Sequence, residues 1–278
     1  MKNLLKKILS KIKVLYNYIR IELNLNLNIP YHFLLKKPLA KKDKYIEIYK
    51  KIKNIEYREI DNFEKKCGYF IDKGWLDNLA LYTQVVIKSS QINYQHGRLL
   101  YSLLREYLTN HDKINILETG TARGFSAICM SKALIDSKKQ GKIFTIDIIP
   151  HNQKIFWNCL QDSDGAVSRK ELLKEWVLYT KNINFLNGRT HKVIKKINFD
   201  RINFAFLDAA HNFRSLKDEF DFVSKKQLKG DLILFDDVTK NEFDEVFNFV
   251  KTIEEKKNYS LSYINSSSSR SYAVAKKL

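Results

Sequence analysis

Three carboxylates and one imidazole mark the stretches of this sequence that could do chemistry. Asp208 and His211 end the run Phe204-Ala205-Phe206-Leu207-Asp208-Ala209-Ala210-His211, and the pair Asp236-Asp237 follows Leu232-Ile233-Leu234-Phe235. Both runs are short, apolar and closed by an acid, the pattern of a buried strand with a polar C-terminal end. Neighbouring parallel strands present those ends on one edge of the sheet, so Asp208, Asp236 and Asp237 are expected to converge. Three close carboxylates repel one another unless they share a cation or some hold protons. An all-oxygen donor set selects a hard ion such as Mg²⁺, Ca²⁺ or Mn²⁺. A single strand-end acid is as well explained by solvation or helix capping, and only the grouping points to a cation. His211, with an ordinary pKa near 6.5, suits proton acceptance at neutral pH.

A second constellation lies upstream, where the apolar run 114–117 leads into Glu118-Thr119-Gly120-Thr121-Ala122-Arg123-Gly124-Phe125-Ser126. Gly120 lets the backbone turn sharply where a Cβ would collide with a ligand, and Gly124 allows a second close approach. Ser126 is placed to cap the helix that follows. The spacing is G-x-x-x-G, which differs from the G-x-G-x-x-G of pyrophosphate-binding loops. Glu118 is expected to face the ligand, where a carboxylate repels pyrophosphate but suits an ammonium or sulfonium group. A second strand at 142–148 carries Asp147 at its end, where a carboxylate can accept both ribose hydroxyls. Dinucleotide folds share that acid, so it does not discriminate by itself. After a third strand comes Asn187-Gly188-Arg189-Thr190.

The elements that must hold these residues alternate. Strands are expected at 114–118, 142–148, 183–186, 202–207 and 231–235, with helices near 97–108, 126–135, 168–179, 190–197 and 215–224. Such alternation means a parallel sheet covered on both faces. The tail differs, with runs at 259–264 and 271–275 joined by the Ser-rich turn 266–269, which reads as a hairpin. The expected fold is therefore α/β, a Rossmann-like doubly wound, mostly parallel seven-stranded sheet with a C-terminal antiparallel hairpin and a helical N-terminal extension.

On these residues the sequence resembles the class I S-adenosylmethionine-dependent methyltransferases, whose first motif is an acid followed by a Gly-rich turn. Glu118 to Ser126 matches the form seen in small-molecule O-methyltransferases, and the terminal hairpin is that family's variation on the sheet. The resemblance covers about residues 97–278. It implies an S-adenosylmethionine site built from Glu118, Gly120, Thr121, Gly124, Ser126, Asp147, Gly188, Arg189 and Asp208. Family members often show Gly-Asp-Ser near the adenine, so Arg189 is a departure there. Asp208 with Asp236-Asp237 resembles the Mg²⁺-type metal set of the catechol branch, which places a lysine where His211 stands. Leu207-Asp208-Ala209-Ala210-His211 is similar to the Leu-Asp-Gly-x-His of antibiotic and polysaccharide methyltransferases. The resemblance thus implies O-methylation of a sugar or secondary-metabolite hydroxyl, with Asp208 and His211 as catalytic residues. The acceptor would be a small molecule or glycan. RNA ribose methylation, or a non-catalytic chain keeping the fold, stays open.

Composition sets the remaining bounds. At 278 residues and 44% hydrophobic content the chain has material for one substantial core. The net charge of +18 invites a nucleic-acid reading, but residues 1–60 hold 15 Lys+Arg against 5 Asp+Glu. The charge therefore concentrates outside the part that carries the motifs, and nucleic acid is disfavoured as a partner. Cys67, Cys129 and Cys159 form no C-x-x-C pair, which fits a reducing cytoplasm. Lys6, Lys7, Lys11 and Lys13 interrupt any signal-peptide core. Residues 3–22 have an apolar helical stripe with lysines largely off it, suited to the inner membrane face, to the catalytic domain or to a second subunit of a homo-oligomer. Three segments are expected: a basic extension at 1–60, a helical lid or linker at 61–96 and the catalytic domain at 97–278.

Overall fold

A computed structural model describes residues 35, 37–88, 91–209, 211–240, 242–267 and 270–278. The amphipathic stripe expected at 3–22 lies outside the described residues. Four helices come first: α1 (Lys42–Ile52), α2 (Arg58–Cys67), α3 (Lys73–Thr83) and α4 (His96–Tyr107). Asp72 starts α3 by accepting the Trp75 amide at 2.6 Å, and α2 stops where Gly68 takes a left-handed φ of 76°. Then follow β1 (Lys113–Thr119), α5 (Phe125–Asp136), β2 (Gln140–Asp147), α6 (Arg169–Leu172), α7 (Val177–Thr180) and β3 (Ile183–Asn187). The chain closes with α8 (Thr190–Val193), β4 (Phe204–Leu207), α9 (Phe213–Lys225), β5 (Leu232–Phe235), α10 (Asp244–Glu255), β6 (Tyr259–Ser267) and β7 (Arg270–Lys277).

The sheet order is β3-β2-β1-β4-β5-β7-β6. The pairs β1–β2, β1–β4, β2–β3 and β4–β5 are parallel. Strand β7 runs antiparallel to both β5 and β6. The expected fold, including the terminal hairpin, is the one observed. Strand alternation splits the core in two: Ile116, Phe204, Phe206 and Leu234 join one cluster, and Leu117, Ala205, Leu207, Ile233 and Phe235 join the other. Because both faces are covered, these strands read as continuous apolar runs.

Helices α2 to α5 cover the first face, so Ile60, Leu76 and Leu79 share a core with Ile116. The aromatics of the 61–95 segment take part in this packing. Tyr94 is 3% exposed, Trp75 meets Tyr179 edge-on at 5.2 Å, and Tyr82 meets Trp176 at 5.7 Å. Helix α9 is amphipathic by spacing, burying Leu216, Phe220 and Val223 on the other face. Helix α1 lies within the N-terminal extension expected to be helical. One helix departs from the sequence expectation: α10 fills the gap between β5 and the hairpin. The expected helix at 190–197 is a single turn, α8, followed by a 3₁₀ turn at Ile194–Lys196, and the 168–179 stretch is similarly broken into α6, a 3₁₀ turn and α7.

Candidate active site at the carboxyl edge of the sheet

Strand register brings the motif residues together. Leu207 sits between Thr119 and Phe235, and the Asp208 amide donates to the Thr119 carbonyl at 3.0 Å. The Gly-rich loop and the fourth strand therefore touch through backbone. Gly120 has a φ of +90°, and a Cβ there would stand 2.1 Å from the Asp208 carbonyl oxygen. Only glycine fits this approach.

Under the loop lies a chain of buried hydroxyls. Glu118 is fully buried, and its two carboxylate oxygens accept from the hydroxyls of Ser126 and Thr145. Thr121, 2% exposed, shares a hydroxyl contact with Thr145. Burial pushes the Glu118 carboxyl up to about 7 against the pull of both hydroxyl donors. Two expectations change here. Glu118 holds the strand end and the helix start together instead of facing a ligand with free oxygens. Ser126 is not the helix cap: Gly124, in left-handed conformation, takes that position, and the Ser126 hydroxyl points to Glu118. Gly124 makes its close approach to the Leu173 side chain, which a Cβ would meet at 2.8 Å.

Asp147 ends β2 beside the loop. Its Oδ2 accepts from the Ala122 amide at 2.6 Å and its Oδ1 from the Ile149 amide at 2.7 Å. The Gly188 amide donates to the Asp147 carbonyl at 2.8 Å, so the turn after β3 lies against the same edge. Arg189 stands at the N-terminal cap of α8. A cavity of about 220 Å³ opens next to the loop, bordered by Ala122, Arg123, Ile149 and Trp157. A larger one, about 450 Å³, lies among α2, α3 and α4 and is lined by Tyr57, Glu64, Phe70, Asp77 and Tyr94. The acid cluster forms no part of its lining.

The acids converge, but in a different partnership from the one expected. Asp236 has no exposed side-chain surface and is gripped by the Arg270 guanidinium, Nε donating to Oδ1 at 3.1 Å and Nη2 to Oδ2. Burial is the largest influence and acts to raise the Asp236 carboxyl. The charge and hydrogen bonds of Arg270, with His96 and the Asp237 amide, together outweigh it, and the net direction is down. With both its oxygens committed, Asp236 does not join Asp208 and Asp237 in a three-carboxylate set. The group that does assemble is Asp208, His211 and Asp237, whose ligand atoms lie within 4.8 Å of one another. His211 Nε2 is 3.7 Å from Asp208 Oδ1, and Nδ1 is 3.4 Å from Asp237 Oδ2. Burial, then the charge of Asp236, pushes the Asp237 carboxyl up to about 7, and Asp208 moves in the same direction. Burial lowers His211. Asp237 also holds a φ of +56°, an uncommon conformation that asparagine and aspartate tolerate best.

Sequence reading missed three groups that shape this cluster. Arg270 is a lone arginine in a serine run, and nothing local shows that it crosses to β5. His96, at the start of α4, is 3% exposed and held neutral by burial, its pKa down to about 3. Its ring stacks on Phe206 at 6.0 Å. Lys88 is close enough to Asp236, Asp237 and Arg270 to feel their charges.

Residues 117–238 match the family model described as a methyltransferase domain. The likeness covers a little under half of the chain. Solved structures share its fold. The O-methyltransferase TomG from Streptomyces achromogenes, in complex with SAM, superposes with a TM-score of 0.53 at 17% identity over 75% of this chain and 91% of that one. A putative O-methyltransferase from Klebsiella pneumoniae gives 0.51 at 15% identity over 81% and 91%. The O-methyltransferase from Bacillus cereus in complex with SAH gives 0.50 at 15% identity over 82% and 94%. Among curated proteins, none matches the chain. The matched stretch thus spans the Glu118 loop, Asp147, Asp208, His211 and the Asp236-Asp237 pair.

Proposed function

We propose that this methyltransferase moves the methyl group of S-adenosylmethionine to a hydroxyl of a small-molecule or glycan acceptor, assisted by a divalent cation. The observation that carries the reading is the contact between the two constellations. Gly120 of the donor loop lies against the backbone of Asp208, so the sulfonium half of the site and the Asp208–His211–Asp237 cluster are adjacent. Gly120, Asp147, Gly188 and Asp208 form the rim that would hold the cofactor, with Glu118, Thr121 and Ser126 bracing it from below. Arg189, at the cap of α8, would border the adenine end. The bound cofactor would supply an electrophilic methyl on a sulfonium.

The donor chemistry of the cluster fits a cation. Two carboxyls driven up by burial and by a neighbouring acid are relieved when a positive ion replaces their protons. The imidazole shifts the preference of the set from Mg²⁺ towards Mn²⁺, because nitrogen suits the transition metals and carboxylate suits the harder ions. A cation there would polarise an acceptor hydroxyl and lower its pKa. The protein's own part is alignment, holding acceptor oxygen and donor methyl in line.

A second reading needs no metal. His211 is 37% exposed at its side chain and has Asp237 on its Nδ1 side, an arrangement in which Asp237 orients the ring and Nε2 takes the acceptor proton. Metal removal separates the two. Chain treated with EDTA and assayed with methyl-labelled S-adenosylmethionine against a panel of hexoses, deoxyhexoses and catechols should lose activity by about 10²-fold or more. Added Mn²⁺ or Mg²⁺ should restore it. Full turnover after EDTA would remove the cation and leave His211 as base. The sugar or secondary-metabolite acceptor belongs to this same proposal, with RNA disfavoured by the placement of charge. So do a homo-oligomer and contact of residues 3–22 with a membrane face. No described helix is long and apolar enough to cross a membrane.

A further inference from the structure

Between β2 and β3 the chain makes a long excursion, and one buried cation returns from it to the cofactor loop. Arg169 opens α6, a turn fixed by a reciprocal cap. The Ser168 hydroxyl accepts the Glu171 amide at 3.1 Å, and Glu171 Oε2 accepts the Ser168 amide at 2.7 Å. The Arg169 side chain is 2% exposed. Its Nε donates to the Ala122 carbonyl at 2.7 Å. Its Nη2 stands 3.9 Å from Asp147 Oδ2 and has no hydrogen-bond partner among the described residues. The guanidinium lies near the rings of Trp157, at 5.4 Å, and Phe185, at 5.9 Å.

Ala122 is therefore held from both sides. Asp147 accepts from its amide, Arg169 donates to its carbonyl, and its φ of +43° is one a non-glycine residue rarely adopts. The excursion is tied down in return, because Arg123 Nε donates to the Trp157 carbonyl at 2.8 Å. Burying a guanidinium is costly unless its donors and charge are matched. Here one donor is matched by the loop, and the nearest carboxylate is the one at the end of β2.

We propose that Arg169 is a positioning residue for the ribose end of the cofactor site, acting through Ala122 and Asp147. By fixing the loop peptide and drawing the Asp147 carboxylate towards its Nη2, it sets the direction in which the remaining Asp147 lone pairs face the ribose hydroxyls. The inference rests on the methyltransferase reading of the site. Lysine cannot replace the residue, because one ammonium on a flexible stem cannot hold a carbonyl and a carboxylate in a single plane.

Titration calorimetry of the full chain with S-adenosylhomocysteine and with its 2′-deoxy analogue tests this. The wild-type chain should prefer the hydroxylated ligand by on the order of ten-fold, as for a charge-assisted hydrogen bond. In R169K and R169M that preference should fall to within about two-fold, with the affinity for the deoxy analogue little changed. R169K retains charge and most of the volume, so it reports even where R169M fails to fold. Equal weakening for both ligands, with the wild-type preference intact, would overturn the positioning role and leave Arg169 as packing. Failure of the wild-type chain to bind either ligand would overturn the underlying cofactor reading, a distinct result.

Discussion

G120A should cost the enzyme at least about 10²-fold in turnover, the scale of a misplacement of about 1 Å in the reacting geometry. A Cβ at residue 120 would lie 2.1 Å from the Asp208 carbonyl oxygen, 2.7 Å from its carbon and 3.1 Å from the Ala209 Cα. All three neighbours are backbone, so none can rotate away. Relief requires the ends of β1 and β4 to part, which moves the cofactor loop and the Asp208–His211–Asp237 cluster at once. The left-handed φ adds about 1–2 kcal/mol, and the overpacking adds about 1–3 kcal/mol. Gly68 provides the control, since its φ is +76° and a Cβ there meets nothing within 4 Å. G68A should therefore lower thermal stability through backbone strain while leaving affinity for S-adenosylhomocysteine and turnover unchanged. Steady-state kinetics and calorimetry on the two variants check this. Comparable activity in G120A and G68A would mean that the two constellations do not form one site.

The second large effect is on stability. R270M should destabilise the chain by about 3–5 kcal/mol at pH near 8, because it leaves the Asp236 carboxylate buried without its counter-ion. Its sign with pH is fixed by the direction of the Asp236 shift. In the wild-type chain Arg270 holds Asp236 below the ordinary carboxylate range against the upward push of burial. Its contribution is thus present at neutral pH and is lost only as pH falls through that lowered value. Without Arg270, burial is the dominant influence left and Asp236 rises, so the folded variant takes up a proton that the unfolded chain has released. The deficit of R270M should consequently be largest near pH 8 and shrink as pH falls towards about 5. Urea unfolding of both chains at these two pH values measures it. A deficit that stays constant with pH would show that Arg270 contributes packing and that Asp236 keeps its charge by other means.

The difference between what could and could not be read in sequence follows the range of the interactions. Strands β4 and β5 announce themselves because a strand covered on both faces is a continuous apolar run, here of four buried residues each. The hairpin of β6 and β7 is equally local. Helix α10 was also within reach, since Val246, Phe249, Val250 and Ile253 recur at three- and four-residue spacing and are buried. In α1 the signal is diluted by lysines, and among its residues only Tyr45 is fully packed.

The candidate site was legible down to the residue for convergence and illegible for pairing. Asp208, Asp236 and Asp237 do meet at one edge, as strand ends must. Which acid is neutralised depends on Arg270, which lies 34 residues from Asp236 and reaches it through the β5–β7 pairing of Phe235 with Ala273. The hydroxyls that take up both oxygens of Glu118 come from Ser126 on α5 and Thr145 on β2, and the second of these is 27 residues away. Arg169 is hidden for the same reason, being an arginine in a polar stretch that lands under a loop 47 residues earlier. Composition and spacing identify the groups, and only tertiary contact decides their partners.

The most direct test is titration calorimetry of the purified chain with S-adenosylmethionine and, separately, with NADH. The G-x-x-x-G loop, the terminal hairpin and the Asp147 rim predict saturable single-site binding of S-adenosylmethionine and no binding of NADH. Saturable NADH binding, or no heat with S-adenosylmethionine, would contradict the sulfonium site at Gly120–Gly124 and with it the methyl transfer proposed for Asp208, His211 and Asp237.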